Sequence, residues 1–82
     1  MDLKKQIEEI VRPMIERAGY EFKKVEIKKK GKAQELIITI DKGGKLSVED
    51  CAKVSRMIDP ILEKKDFFKG RWYLTVSSPG IE

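Results

Sequence analysis

Phe22-Lys23-Lys24-Val25-Glu26-Ile27-Lys28-Lys29-Lys30-Gly31-Lys32-Ala33-Gln34-Glu35-Leu36-Ile37-Ile38-Thr39-Ile40 is the stretch on which the fold turns. Val25 and Ile27 stand at every second position before the lysine run, and Leu36, Ile38 and Ile40 alternate with Ile37 and Thr39 after it. Side chains of an extended chain point alternately to opposite faces, so this spacing sets one side of each segment on a core. Two antiparallel strands joined at Gly31 are predicted. Phe22 is out of phase with Val25, which predicts a bulge near Lys23-Lys24. The second strand is expected to close at Asp41-Lys42-Gly43-Gly44, whose glycines permit the positive backbone angles of a tight turn.

Upstream, Leu3, Ile7, Ile10, Val11, Met14, Ile15 and Ala18 recur at three- and four-residue intervals, with Lys4, Lys5, Glu8, Glu9 and Arg12 off that stripe. This is the period of an amphipathic helix. Asp2 is placed to cap its first turn and Gly19 to end it in a left-handed conformation. Pro13 removes one backbone donor and should bend the helix, but the stripe continues in phase beyond it. Downstream, Ser47 with Asp50 three residues on reads as a variant capping box, with Leu46 and Cys51 as a hydrophobic staple. Cys51, Val54, Ile58, Ile61 and Leu62 form the expected buried stripe of a second helix. Pro60 should kink its last turns or end it near Asp59, leaving Lys64 to Gly70 as a loop. Trp72, Leu74 and Val76 then alternate with Tyr73, Thr75 and Ser77 in a third strand, Trp72 inward and Tyr73 outward. The reading is an α+β fold: two helices packed on one face of a small three-stranded sheet, in the order helix, strand, strand, helix, strand.

The 82 residues allow one modest core. Hydrophobic content of 40% beside 39% charged residues fits a globular domain. One cysteine, Cys51, forms no internal bridge, and with no histidine in the chain an ordinary zinc site lacks its ligands. No cofactor or metal is expected. The absence of a leader or a long apolar run points to a cytoplasmic protein without a membrane partner. The net charge is +4, a mild bias toward an anionic partner. Its distribution is more informative: Lys23, Lys24, Lys28, Lys29, Lys30 and Lys32 fall within ten residues, with Glu26 the one acid among them.

A lysine-rich hairpin is able to lie along a phosphate backbone and gain from counterion release. It is equally a solvated edge, with lysines blunting aggregation. Single-strand readers add aromatic platforms, and the hairpin has Phe22 as its one nearby ring, which argues against base-specific readout. An RNA-binding KH module needs two glycines separated by two residues, a spacing absent from this chain. Gly43-Gly44-Lys45 lacks the Ser or Thr of a nucleotide-binding P-loop, having Leu46 instead. Ser77 and Ser78 have no histidine to activate them, so an enzyme is not expected. Asp41, Glu49 and Asp50 are explained by turn chemistry and capping, and Cys51 by packing on an apolar stripe.

Gly19-Tyr20-Glu21, Val25-Glu26, Ile40-Asp41-Lys42, Asp50-Cys51 with Val54-Ser55-Arg56, and Val76-Ser77-Ser78-Pro79-Gly80 together resemble the N-terminal domain of the ribosome maturation factor RimP family. The last two stretches are the specific ones. The resemblance implies an α+β domain over residues 1–76, followed from residue 77 by the start of an interdomain linker. A C-terminal Sm-like barrel, which this sequence does not include, would come next. It further implies a non-enzymatic assembly factor for the small ribosomal subunit, binding free or immature subunits through ribosomal RNA and a small-subunit ribosomal protein; a monomer is expected. From the charge run itself, Lys28, Lys29, Lys30 and Lys32 are the candidate RNA or ribosome contacts. Carried over by position from the resemblance, Arg56, Ser77, Ser78, Pro79 and Gly80 are candidates for an interdomain hinge or partner site. A competing reading is a protein-interaction module that docks a partner through an edge strand or the Ser77 to Ile81 segment without touching RNA.

Overall fold

The computed structural model describes residues 2–43, 45–68 and 70–79. Their order is α1 (Leu3–Arg17), β1 (Glu21–Lys30), β2 (Ala33–Asp41), α2 (Val48–Lys65) and β3 (Trp72–Ser77), the predicted succession. The sheet order is β1-β2-β3. β1 pairs antiparallel with β2, and β3 pairs parallel with it. A parallel partner cannot be reached by a tight turn, so α2 forms the crossover. Alternation in the sequence could not supply this last step, because it gives a strand's faces but neither its neighbour nor its direction.

Leu36, Ile38 and Ile40 of the central strand are fully buried, as are Ile7, Val11 and Ile15 of α1 and Val54 and Ile58 of α2. Val25, Tyr20, Leu62 and Phe68 complete the core. Removing one such branched side chain to Ala costs about 2–5 kcal/mol. A chain of this size has a total stability of roughly 4–12 kcal/mol. The helix-covered face of the sheet therefore carries the fold, and the opposite face carries little of it.

Local signals act largely as read. The Asp2 carboxylate accepts from the Lys4 backbone amide at 3.3 Å. Gly19 is left-handed at φ 93°, and Tyr20 N–H reaches the Ile15 carbonyl while Gly19 N–H reaches that of Glu16. That pair of bonds is a Schellman ending, which satisfies two carbonyls left over at the end of α1. The β1–β2 register shifts between Phe22 and Lys24, where the bulge is expected. Gly43 has φ 58°; Gly44 lies outside the described residues.

Two expectations about α2 are corrected. Of the two outcomes expected at Pro60, an end near Asp59 is ruled out: the helix runs through Pro60 to Lys65, and so takes in the start of the expected loop. Ile58 and Leu62, buried on either side of Pro60, hold the turn in place against the loss of one backbone donor. Ile61 is 38% exposed, outside the buried line of Val54, Ile58 and Leu62. The helix stops at Asp66, left-handed at φ 52°. Trp72 then stacks on Phe68, with ring centroids 5.4 Å apart, fixing the entry to β3. Because Trp72 turns inward, Tyr73 turns outward and is 51% exposed.

Candidate functional site

The strand register divides the hairpin lysines between the two faces. Lys28 pairs with Glu35 and Lys30 with Ala33 on the uncovered face, whereas Lys29 pairs with Gln34 on the helix side. Gly31 and Lys32 form the turn. Gly31 has φ 65° and Lys32 a negative φ, the sign pattern of a type II′ hairpin turn. Lys28, Lys29, Lys30 and Lys32 are all exposed. Among the described residues none of the four has a carboxylate within ion-pair reach. The other two lysines of the run differ: Lys23 pairs with Glu21 at 3.0 Å and Lys24 with Glu26 at 3.3 Å. These pairs are exposed and contribute little stability, but they separate Lys23 and Lys24 from the unpartnered group.

The parallel strand brings residues to the lysine turn that the sequence does not suggest. Gln34 N–H donates to the Arg71 carbonyl at 3.1 Å, extending the β2–β3 ladder by one step and setting Arg71 beside Ala33. Tyr73 lies opposite Glu35. Lys30, Lys32, Ala33, Arg71 and Tyr73 together line an open depression of about 560 Å³. Lys28 is one row further in on the same face. Glu35, the nearest acid in that row, accepts from Thr75 Oγ1 at 2.8 Å instead of pairing with a lysine. Phe22 is at the far end of β1 from the turn, half-buried against the core, with the Arg12 guanidinium 5.9 Å above its ring. The ring that reaches the lysines is Tyr73. Arg71 and Tyr73 are 40 residues or so from the hairpin in sequence, and only knowledge that β3 joins β2 in parallel would have found them.

The second set of candidates lies at the opposite end of the sheet. Ser77 ends β3 with its hydroxyl 3.4 Å from that of Thr39, and Ser78 is buried. Pro79 joins both serines, Thr39, Lys23 and Lys24 around one depression. On the other side, Val76, Ser77 and Ser78 meet Val48 and Cys51 of α2 in a largely apolar hollow of about 250 Å³. Arg56 is exposed on α2 and shares its depression with Glu49, Ala52 and Lys53, not with the serines. Gly80 lies outside the described residues. Burial pushes the Cys51 thiol above its usual pKa, which keeps it protonated and unreactive at neutral pH.

The hydrogen-bonded centre of this end is Asp50. Its Oδ1 accepts from the Tyr20 hydroxyl at 2.7 Å, and its Oδ2 accepts from both the backbone N–H and the hydroxyl of Ser47 at 3.0 and 2.9 Å. Asp50 N–H returns a bond to Ser47 Oγ at 3.2 Å, completing the capping box. These donors, Tyr20 first, hold the carboxyl at a pKa of about 2, well below its ordinary 3.8. The same bond raises the Tyr20 hydroxyl above its ordinary value. Lys42 lies 5.3 Å over the Tyr20 ring.

Among the described residues no group of three or more His, Cys, Asp or Glu is placed to hold a metal ion, and no helix is long and apolar enough to cross a membrane. The structure also joins stretches that the sequence leaves apart: Tyr20, between α1 and β1, and Asp50 from the start of α2 meet in one hydrogen bond. A family model for the RimP N-terminal domain matches residues 10–82, a span that contains both. With that match over most of its length, and with the α-β-β-α-β order throughout, the chain belongs to the RimP N-terminal domain family, whose members are ribosome maturation factors.

Proposed function

We propose that the domain is a non-enzymatic assembly factor of the small ribosomal subunit. It docks on free or immature subunits in the cytoplasm, as a monomer, through the lysine-bearing end of its sheet. The observation that carries this reading is the set Lys28, Lys29, Lys30 and Lys32, exposed around one turn with no carboxylate partner among the described residues. Ammonium groups without an internal partner are free to neutralise phosphates, and the counterions that the RNA then releases to solvent drive association. The domain acts by favouring one assembly intermediate over others, a shift of population without a bond-making step. The chain from residue 77 serves as the beginning of a linker to a second domain, with Ser77, Ser78 and Pro79 at its start; Arg56, in a separate depression on α2, is a candidate for partner contact apart from that path.

A second reading, docking of a protein partner at the strand end, is favoured by the apolar hollow beside Val48, which is 74% exposed. The two are separated by binding to purified immature small subunits at rising salt. With Lys28, Lys29, Lys30 and Lys32 all changed to Gln, the RNA reading expects weaker binding and a salt slope shallower by roughly 0.7–0.9 for each phosphate no longer neutralised. Unchanged affinity and slope reject the hairpin as the RNA surface. Loss of binding on Val48→Asp alone would favour the protein partner.

A further inference from the structure

We infer that the depression between the hairpin turn and the start of β3 is a single-stranded RNA site that holds one unpaired nucleotide. The base stacks on the Tyr73 ring, and the flanking phosphates lie against Lys30, Lys32 and Arg71. This rests on the RNA reading above and adds what kind of RNA is bound and which residues grip it.

The inference comes from what lies together at this place. Tyr73 is a half-exposed ring that makes no ring stack with another side chain and no hydrogen bond through its hydroxyl among the described residues. Its neighbour Trp72 is turned into the core, so the orientation of Tyr73 is fixed by a buried partner on the same strand. The ring is held on a sheet, not on a loop, which keeps its face presented at low entropic cost. Around it stand Lys30, Lys32 and Arg71, all exposed and without ion pairs among the described residues. The small side chain of Ala33 forms the floor between them and leaves the space open.

A nucleotide combines a flat aromatic face with anionic groups on either side, and this arrangement of one ring and three cations is its complement. Duplex RNA offers the phosphates but hides its base faces, so the ring would have nothing to stack on. Glu35, which accepts from Thr75, bounds the site toward the middle of the sheet and discourages phosphate from going further. Stacking tolerates any base, because every base has a flat face.

The test is fluorescence anisotropy across a salt series, with labelled oligouridine and a blunt RNA duplex of equal length as probes. Tyr73→Ala is expected to weaken oligouridine binding about tenfold, the loss of one stacked base, with the salt slope unchanged and duplex binding within about twofold. Tyr73→Phe should bind as the parent does. Tyr73→Leu, which keeps an apolar strand residue without the ring, should lose as much as Ala and guards against a folding defect, as does an unchanged circular dichroism melt. Arg71→Gln should instead reduce the slope for the single strand by about 0.7. Upfield shifts of the Tyr73 ring protons on adding oligouridine would report the stack directly. If both ring-removing variants bind as the parent while the four-lysine variant is weakened, the stacking site is overturned and the electrostatic reading survives. If neither set matters, both fall. Tyr73-sensitive binding to immature subunits with no binding to oligouridine would also overturn the inference, in favour of a protein contact.

Discussion

The two ends of the sheet are both charged, and they use charge in opposite ways. At the end where α2 begins, one carboxylate, Asp50, is surrounded by donors from Ser47 and Tyr20. At the hairpin end, Lys28, Lys30, Lys32 and Arg71 have no acidic partner among the described residues. A charge whose hydrogen-bonding capacity is met inside the protein stabilises a particular local structure and has little left for a ligand. One that remains hydrated adds almost nothing to folding and keeps its whole interaction for a partner. Charge density alone does not separate the two cases. Acids around the Gly43 turn and bases around the Gly31 turn look alike in composition, and only their neighbours tell structure from function.

The largest effect expected from this contrast is on thermal stability. Asp50→Ala removes the acceptor for Tyr20 and half of the capping box in one step, and the melting temperature followed by circular dichroism should fall markedly. Changing Lys28, Lys29, Lys30 and Lys32 to Gln should leave it unchanged or slightly raise it, because like charges within one turn repel. Binding to immature subunits should show the reverse order, with the lysine variant weakened and the folded Asp50 variant intact. Equal melting losses in the two proteins would erase the distinction between the ends.

A smaller and more local effect is expected at the turn that presents the lysines. Gly31 has φ 65°, and a Cβ there meets no atom within 4 Å, so the cost of Gly31→Ala is backbone strain and not collision. Forcing an L-residue to hold a positive φ of this kind costs on the order of 1–3 kcal/mol. Relief of that strain by a shift of the turn would move Lys30 and Lys32 relative to Tyr73, so RNA affinity should fall although no charge has changed. Gly31→Asn, which tolerates positive φ better, should recover much of both losses. Affinity that stays constant while stability drops would mean that the position of the lysines is unimportant and only their number counts.

Most of the fold could be read from the chain because periodicity and capping are local signals. Ser47 with Asp50 gave the start of α2, Gly19 the end of α1, and the phase slip at Phe22 the bulge. The end of α2 could not be read in this way. Pro60 is a local breaker, but burial of Ile58 and Leu62 outweighs it, and burial is a property of the assembled core. The candidate site was legible by half. The lysine run is contiguous, whereas Arg71 and Tyr73 reach it through a parallel pairing that no residue type encodes. The Tyr20–Asp50 bond was hidden for a similar reason. Asp50 had a sufficient explanation as a cap, and nothing in the sequence shows that one of its oxygens also accepts from Tyr20, 30 residues earlier.

The smallest expected effect isolates that last bond. Tyr20→Phe keeps the buried ring and removes one hydroxyl, at a cost of about 1 kcal/mol near neutral pH. Its pH dependence tests the assignment more sharply than its size. Asp50 has a folded pKa of about 2 against an ordinary 3.8. Its contribution is therefore present above pH 3.8 and is lost as pH falls from there through about 2, where the unfolded chain binds the extra proton first. Tyr20 has its pKa raised, so its contribution is present below the ordinary value of 10.0 and is lost as pH rises through the folded one. The Tyr20→Phe variant should lose the alkaline limb and keep part of the acid limb, since Ser47 still donates twice to Asp50. Urea unfolding across pH would show the parent and variant curves converging at both extremes, with their widest separation between. A constant offset from acid to alkali would mean that the hydroxyl stabilises the fold by some route other than this carboxylate.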